Sequence, residues 1–162
     1  MYNPEIHTTA RKTMFEIFPS IGELPIKGGW GLNKEDAVII DKNDPIVNQS
    51  LPFNGVEIEY LFMEYFNYLD LITFKPLESR HSGIRYKLLD QQLVKGSDTS
   101  SVYDKIKIEV TCFLDKDWDE LKDEWESDHL DKHFDMLAHE KKRDSRMLYL
   151  EREVWFEISS FF

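Results

Sequence analysis

The chain has 162 residues, enough for one domain of ordinary size, and 41% hydrophobic with 14% aromatic residues is enough to build a core. Its 31 acids against 20 bases give a formal net charge of −11, which opposes binding to nucleic acid or an anionic membrane, because both are negative, and favours a basic partner. No apolar run approaches the ~20 residues of a membrane helix, "MYNPEIHTTARK" lacks a basic-then-apolar leader pattern, and the single cysteine, Cys112, cannot form an internal disulfide. A soluble, cytoplasmic protein is the expectation.

In chain order, residues 4–18 predict a first helix, with Ile6, Met14, Ile17 and Phe18 able to share a face and Pro19 ending it. Residues 19–35 predict a loop rich in glycine and proline. "AVIID", 37–41, is a short β-branched strand. Residues 42–55 are loop again, broken by Pro45, Pro52 and Gly55. The clearest helix follows: Ile58, Leu61, Phe62, Tyr65, Phe66 and Leu69 make an apolar stripe roughly 140° wide, with Glu57, Glu64 and Asn67 opposite. "LITFK", ending before Pro76, predicts a short strand. Tyr60 and Met63 fall outside the stripe, which leaves a homodimer contact open.

Residues 84–94 and 104–114 predict two longer strands joined by "KGSDTSS". In the second, Ile106, Ile108, Val110, Cys112 and Leu114 alternate with Lys105, Lys107, Glu109 and Thr111, the pattern of a half-buried strand in an antiparallel hairpin. Two helices come next. Asp117 and Glu120 have capping-box spacing, and Trp118, Leu121 and Trp125 would face inward. The second helix, about 130–143, would bury Leu130, Phe134 and Leu137. A last strand covers 147–158. The sum is one α+β domain over 1–162: a mostly antiparallel sheet of four or five strands with helices packed on one face.

Four features carry candidate chemistry. His129 and His133 stand four apart in "DHLDKHFDMLAHE", the helical spacing by which zinc can take two imidazoles from one face. The residue after the first histidine is Leu130, where a zinc protease has its glutamate base. Arg80, His81 and Arg85 form a basic island that could bind an anion. "KGGWG", 27–31, places Trp30 on a glycine-flanked loop, either as a binding anchor or as a plug over the core. From Asp115 to Glu140, 11 acids face 3 lysines, and "KKRDSR" follows at 141–146 with four bases and one acid. Carboxylates this numerous say nothing of catalysis by count. They would do so only where a cleft shifts the pKa of one of a pair.

The expectation from these features is a binding protein without a cofactor, leaning away from an enzyme. Asp117, Asp119, Glu120, Asp123, Glu126 and Asp128 would steer a basic protein partner, in the manner of an immunity-type inhibitor of a bacterial toxin. Trp30, Tyr60 and Trp125 would be its aromatic anchors. One alternative is a zinc-binding protein or metal-dependent hydrolase centred on His129 and His133. Another is a small-ligand pocket between helix 57–69 and the sheet. The tail "SSFF" would either tuck into the domain or meet a second copy.

Overall fold

A computed structural model of the chain describes residues 9–98 and 100–162. The elements run α1 (Ala10–Ile17), β1 (Ile26–Gly28), β2 (Val38–Ile40), α2 (Gly55–Tyr68), β3 (His81–Lys95), β4 (Val102–Leu114), α3 (Asp115–Asp128), α4 (Met136–Arg146) and β5 (Leu148–Glu157). The protein is α+β. Its five strands form one mostly antiparallel sheet in the order β1-β2-β5-β4-β3. β1 pairs antiparallel with β2, and β2 runs parallel to β5 with Val38 opposite Phe156. Two compact units result. One holds the described residues up to Phe66, with Leu88–Ile108 and Arg152–Phe162; the other holds Asn67–Lys87 and Glu109–Glu151. α2 and strands β3, β4 and β5 run through both.

In the first unit, Thr9 starts α1 by accepting from the Lys12 amide at 3.4 Å, and Ala10, Thr13 and Met14 are its buried side. Positions 4–8 of the expected helix lie outside the described residues. Arg11 reaches from α1 to Glu23 at 2.6 Å and to buried Asp44 at 2.6 Å. Val38, Ile40, Ile58, Phe62, Ile106, Ile108, Val154 and Phe156 make the core. The Phe62 ring meets Phe156 edge-on at 5.6 Å. The loop expected at 19–35 contains the short strand β1. Gly31 has φ +79°, and a Cβ there would stand 2.9 Å from Val154 Cγ1; the last glycine of "KGGWG" thus serves a close approach of backbone.

The stripe of α2 is rotated from the expected one. Met63 and Asn67 are each 1% exposed, as is Glu59, so two of the five residues predicted to lie off the buried face lie on it. The hydrophobic count missed this because two of the inward positions are polar.

In the second unit, "LITFK" is wound, not extended. The Phe74 amide bonds to the Leu69 carbonyl five residues earlier at 2.8 Å, and Leu69–Thr73 form a π-helical turn with Leu69 and Leu71 buried. Burial of two leucines outweighs the weak strand preference of Ile72 and Thr73. α3 begins at Asp115 after Leu114, without a side-chain cap, so Asp117 sits inside the first turn, where its charge still suits the helix dipole. The second helix starts late. Asp135 accepts from the Ala138 amide at 3.0 Å and caps α4 at Met136. Leu130 is 87% and Leu137 60% exposed, while His139 is buried: the buried residue of α4 is a histidine, not the expected leucines.

Candidate functional site: a groove over two buried carboxyls

The strongest site lies in the first unit and was not legible as a motif. Glu59, in the second turn of α2, and Asp104, in β4, are 1% and 4% exposed. Asp104 is in phase with Ile106 and Ile108 on the buried face of its strand. Gln91 on β3 donates from Nε2 to Asp104 Oδ2 at 2.5 Å. The Glu59 and Asp104 carboxyls shift each other's protonation. One oxygen of each acid, Glu59 Oε2 and Asp104 Oδ1, is enclosed and has no hydrogen-bond partner.

The electrostatics follow from burial. Desolvation pushes the Glu59 carboxyl up to about 8 from its ordinary 4.5, and the negative charge of Asp104 pushes the same way. Desolvation also raises Asp104, against the hydrogen bonds from Gln91 and Glu59, which lower it. Near neutral pH the pair therefore holds one proton, carried by Glu59 and shared with Asp104.

Both acids line a groove of about 470 Å³ with Val56, Gln91, Leu93, Ile158, Phe161 and Phe162. That volume is in the range of small-molecule sites, as is the mix of apolar walls with a few convergent polar atoms. Phe161 is fixed in the groove wall: it packs on Phe53 at 5.3 Å, and its ring lies over Gly55, where a Cβ would collide with it. Phe162 is 69% exposed. The tail is tucked in at the first phenylalanine and open at the second.

The residues singled out from sequence fall elsewhere. On α3, Arg146 Nη1 meets Glu120 at 2.5 Å and Asp117 at 3.4 Å, Lys142 meets Glu124 at 2.5 Å, and Lys122 meets Glu126 at 3.8 Å. The bases of "KKRDSR" thus answer part of the acidic tract from within the chain. These contacts hold Glu120 below the ordinary carboxylate range through Arg146, and Glu124 through Lys142 and then His139. Asp119, Asp123 and Asp128 are exposed and have no ion pair among the described residues.

Of the aromatic anchors, Trp30 is half-buried with its ring 5.9 Å from Phe66, and Asp36 holds its amide at 3.1 Å. Tyr60 is 39% exposed and Trp125 38%. Trp125 stacks on His129 at 4.8 Å and touches Phe134 and His139 at 6.0 and 5.7 Å.

The basic island is partly spent on backbone. Arg80 Nε donates to the Lys75 carbonyl at 3.3 Å and His81 Nδ1 to that of Leu71 at 3.3 Å, leaving Arg85 exposed. His129 and His133 lie in the turn 129–135, so their spacing is not a helical one. His129 Nδ1 donates to the Trp125 carbonyl at 2.5 Å. Among the described residues, no group of three or more His, Cys, Asp or Glu is placed to hold a metal ion, and no helix is long and apolar enough to cross a membrane.

Comparison with protein-family models, with curated proteins and with solved structures returned no match to this chain.

Proposed function

We propose that the chain is a binding module and that its ligand site is the groove over Glu59 and Asp104. One observation carries this reading: a space of about 470 Å³ with apolar walls is lined by two buried acids, each with one enclosed oxygen that has no hydrogen-bond partner. A buried polar atom left unpaired costs about 1–3 kcal/mol, and a ligand donor reaching it would remove that cost. The walls select an apolar body and the acids a hydrogen-bond donor. The test is a fragment screen by amide chemical-shift mapping. Binding fragments should move the amides of Val56, Gln91, Leu93 and Ile158, and Leu93→Trp, which fills the groove, should abolish the shifts. A screen without binders, or binders that survive Leu93→Trp, would overturn the proposal.

The exposed acids of α3 favour a second reading, docking of a basic protein. Asp119, Asp123 and Asp128 supply the steering charge and Trp125 an anchor at 38% exposure. Retention of a basic partner that weakens with salt and is lost in Asp119→Lys/Asp123→Lys supports this reading; retention unchanged by those substitutions removes it.

A further inference from the structure

We propose that the groove's ligand is an amine whose ammonium is held by the carboxyls of Glu59 and Asp104. The inference rests on the groove being a ligand site and adds the chemical class of the ligand.

The argument is one of charge and donors. Two acids holding one proton carry one negative charge. Gln91 is an amide donor with no charge, and no ion pair to either acid occurs among the described residues. The missing complement is thus a single positive charge bearing several N–H groups. An ammonium has both: one N–H can donate to Glu59 Oε2 and another to Asp104 Oδ1, the two oxygens left without partners. Proton balance is simple. The Glu59 O–H bond breaks, its proton leaves to solvent, and the ligand arrives already protonated. The pair passes from one negative charge to two as the ligand brings one positive charge. The net charge buried in the site does not change, so the exchange avoids a new desolvation of net charge.

Other classes fit less well. An anion would face the negative pair. A divalent cation such as calcium takes 6–8 oxygen ligands, whereas this floor offers two carboxyls and the amide of Gln91. The apolar walls of Val56, Leu93, Ile158 and Phe161 are of no use to a hydrated ion and suit the carbon body of an amine.

The experiment uses three matched pairs on the full chain: hexylamine, cyclohexylmethylamine and 2-phenylethylamine, each against its alcohol. Binding is measured by calorimetry at pH 6, 7 and 8, in phosphate and in HEPES, so that protons released to buffer are counted. The tightest amine should bind about tenfold or more tighter than its alcohol at pH 7, release about one proton, and gain affinity from pH 6 to 8 by up to roughly tenfold per unit. In Glu59→Gln, which keeps the charge of Asp104, the proton release and the gain with pH should vanish, and in Glu59→Gln/Asp104→Asn the preference itself should vanish while the alcohol still binds. Equal binding of amine and alcohol in the wild-type chain would overturn the amine assignment and leave the groove reading standing. Binding by neither series would overturn both. Competition of the amine by calcium chloride or magnesium chloride at equal concentration would also overturn the assignment, in favour of a metal site.

Discussion

At Glu59 and Arg11 the chain buries charge in two opposite ways. The raised Glu59 pKa means that between about pH 4.5 and about 8 the folded chain holds a proton that the unfolded chain has lost. Stability is therefore fullest below that window and falls as pH rises through it, by on the order of 3–5 kcal/mol if Glu59 acts alone. The thermal midpoint should drop between pH 5 and pH 8. Glu59→Gln should raise the midpoint at pH 8 and flatten the profile; an unchanged profile in that variant would sink the idea. Asp44 has the reverse sign. The Arg11 hydrogen bond holds its carboxyl below the ordinary range, so its contribution is present at neutral pH and lost on acidification. Arg11→Ala leaves buried Asp44 without its cation and should cost on the order of 2 kcal/mol in urea melts at pH 7, with a smaller cost near pH 3. Neither acid of the groove stood out in the sequence. Asp104 continues the even-numbered face of Ile106 and Ile108, and Glu59 sits between Ile58 and Phe62; these were signals. A local window treats a carboxylate as facing water, and no window spans the 45 positions that separate the two.

Among the elements, long strands and the main helix follow from periodicity because their patterns repeat over ten or more positions. β3, β4, β5 and α2 each lie within a few residues of the predicted bounds. The failures sit where one polar contact decides the outcome: Asp135 capping α4, or the bond from Phe74 to Leu69 that keeps 69–73 wound. Alternation also left unread the start of β3. Gly83 there has φ +62°, and a Cβ would stand 2.6 Å from Trp118 Cζ3 and 3.1 Å from Phe113 Cδ2. Gly83→Ala combines a strained backbone with a collision against α3. We expect a loss of about 2–3 kcal/mol and a shift of tryptophan emission to longer wavelength; native emission and an unchanged midpoint would refute the close approach.

For the molecule as a whole, the order of the predicted elements indicated an α+β chain, and the five-stranded sheet bears that out. The acidic tract overstates the free charge of the surface, because α4 neutralises part of α3 across a turn at 129–135, where the periodicity predicts helix. Cys112 gives a global readout. It is 0% exposed, so a thiol reagent should label the native chain only at the rate of opening and label one thiol per chain at once in denaturant. Fast native labelling would contradict the core.

The sheet order has a consequence for synthesis. β5 follows every other strand in the sequence, yet it lies between β2 and β4. Val38 finds its neighbour only at Phe156, and Ser160 Oγ then donates to the Ile40 carbonyl, 120 residues away, at 2.9 Å. While the ribosome is still adding α4, the β1–β2 ribbon has no place in the sheet, and its edge stays open to other chains. The groove cannot exist at that stage either, since Ile158 and Phe161 complete its wall. The groove and the closed sheet arrive together, once residues 148–161 are made.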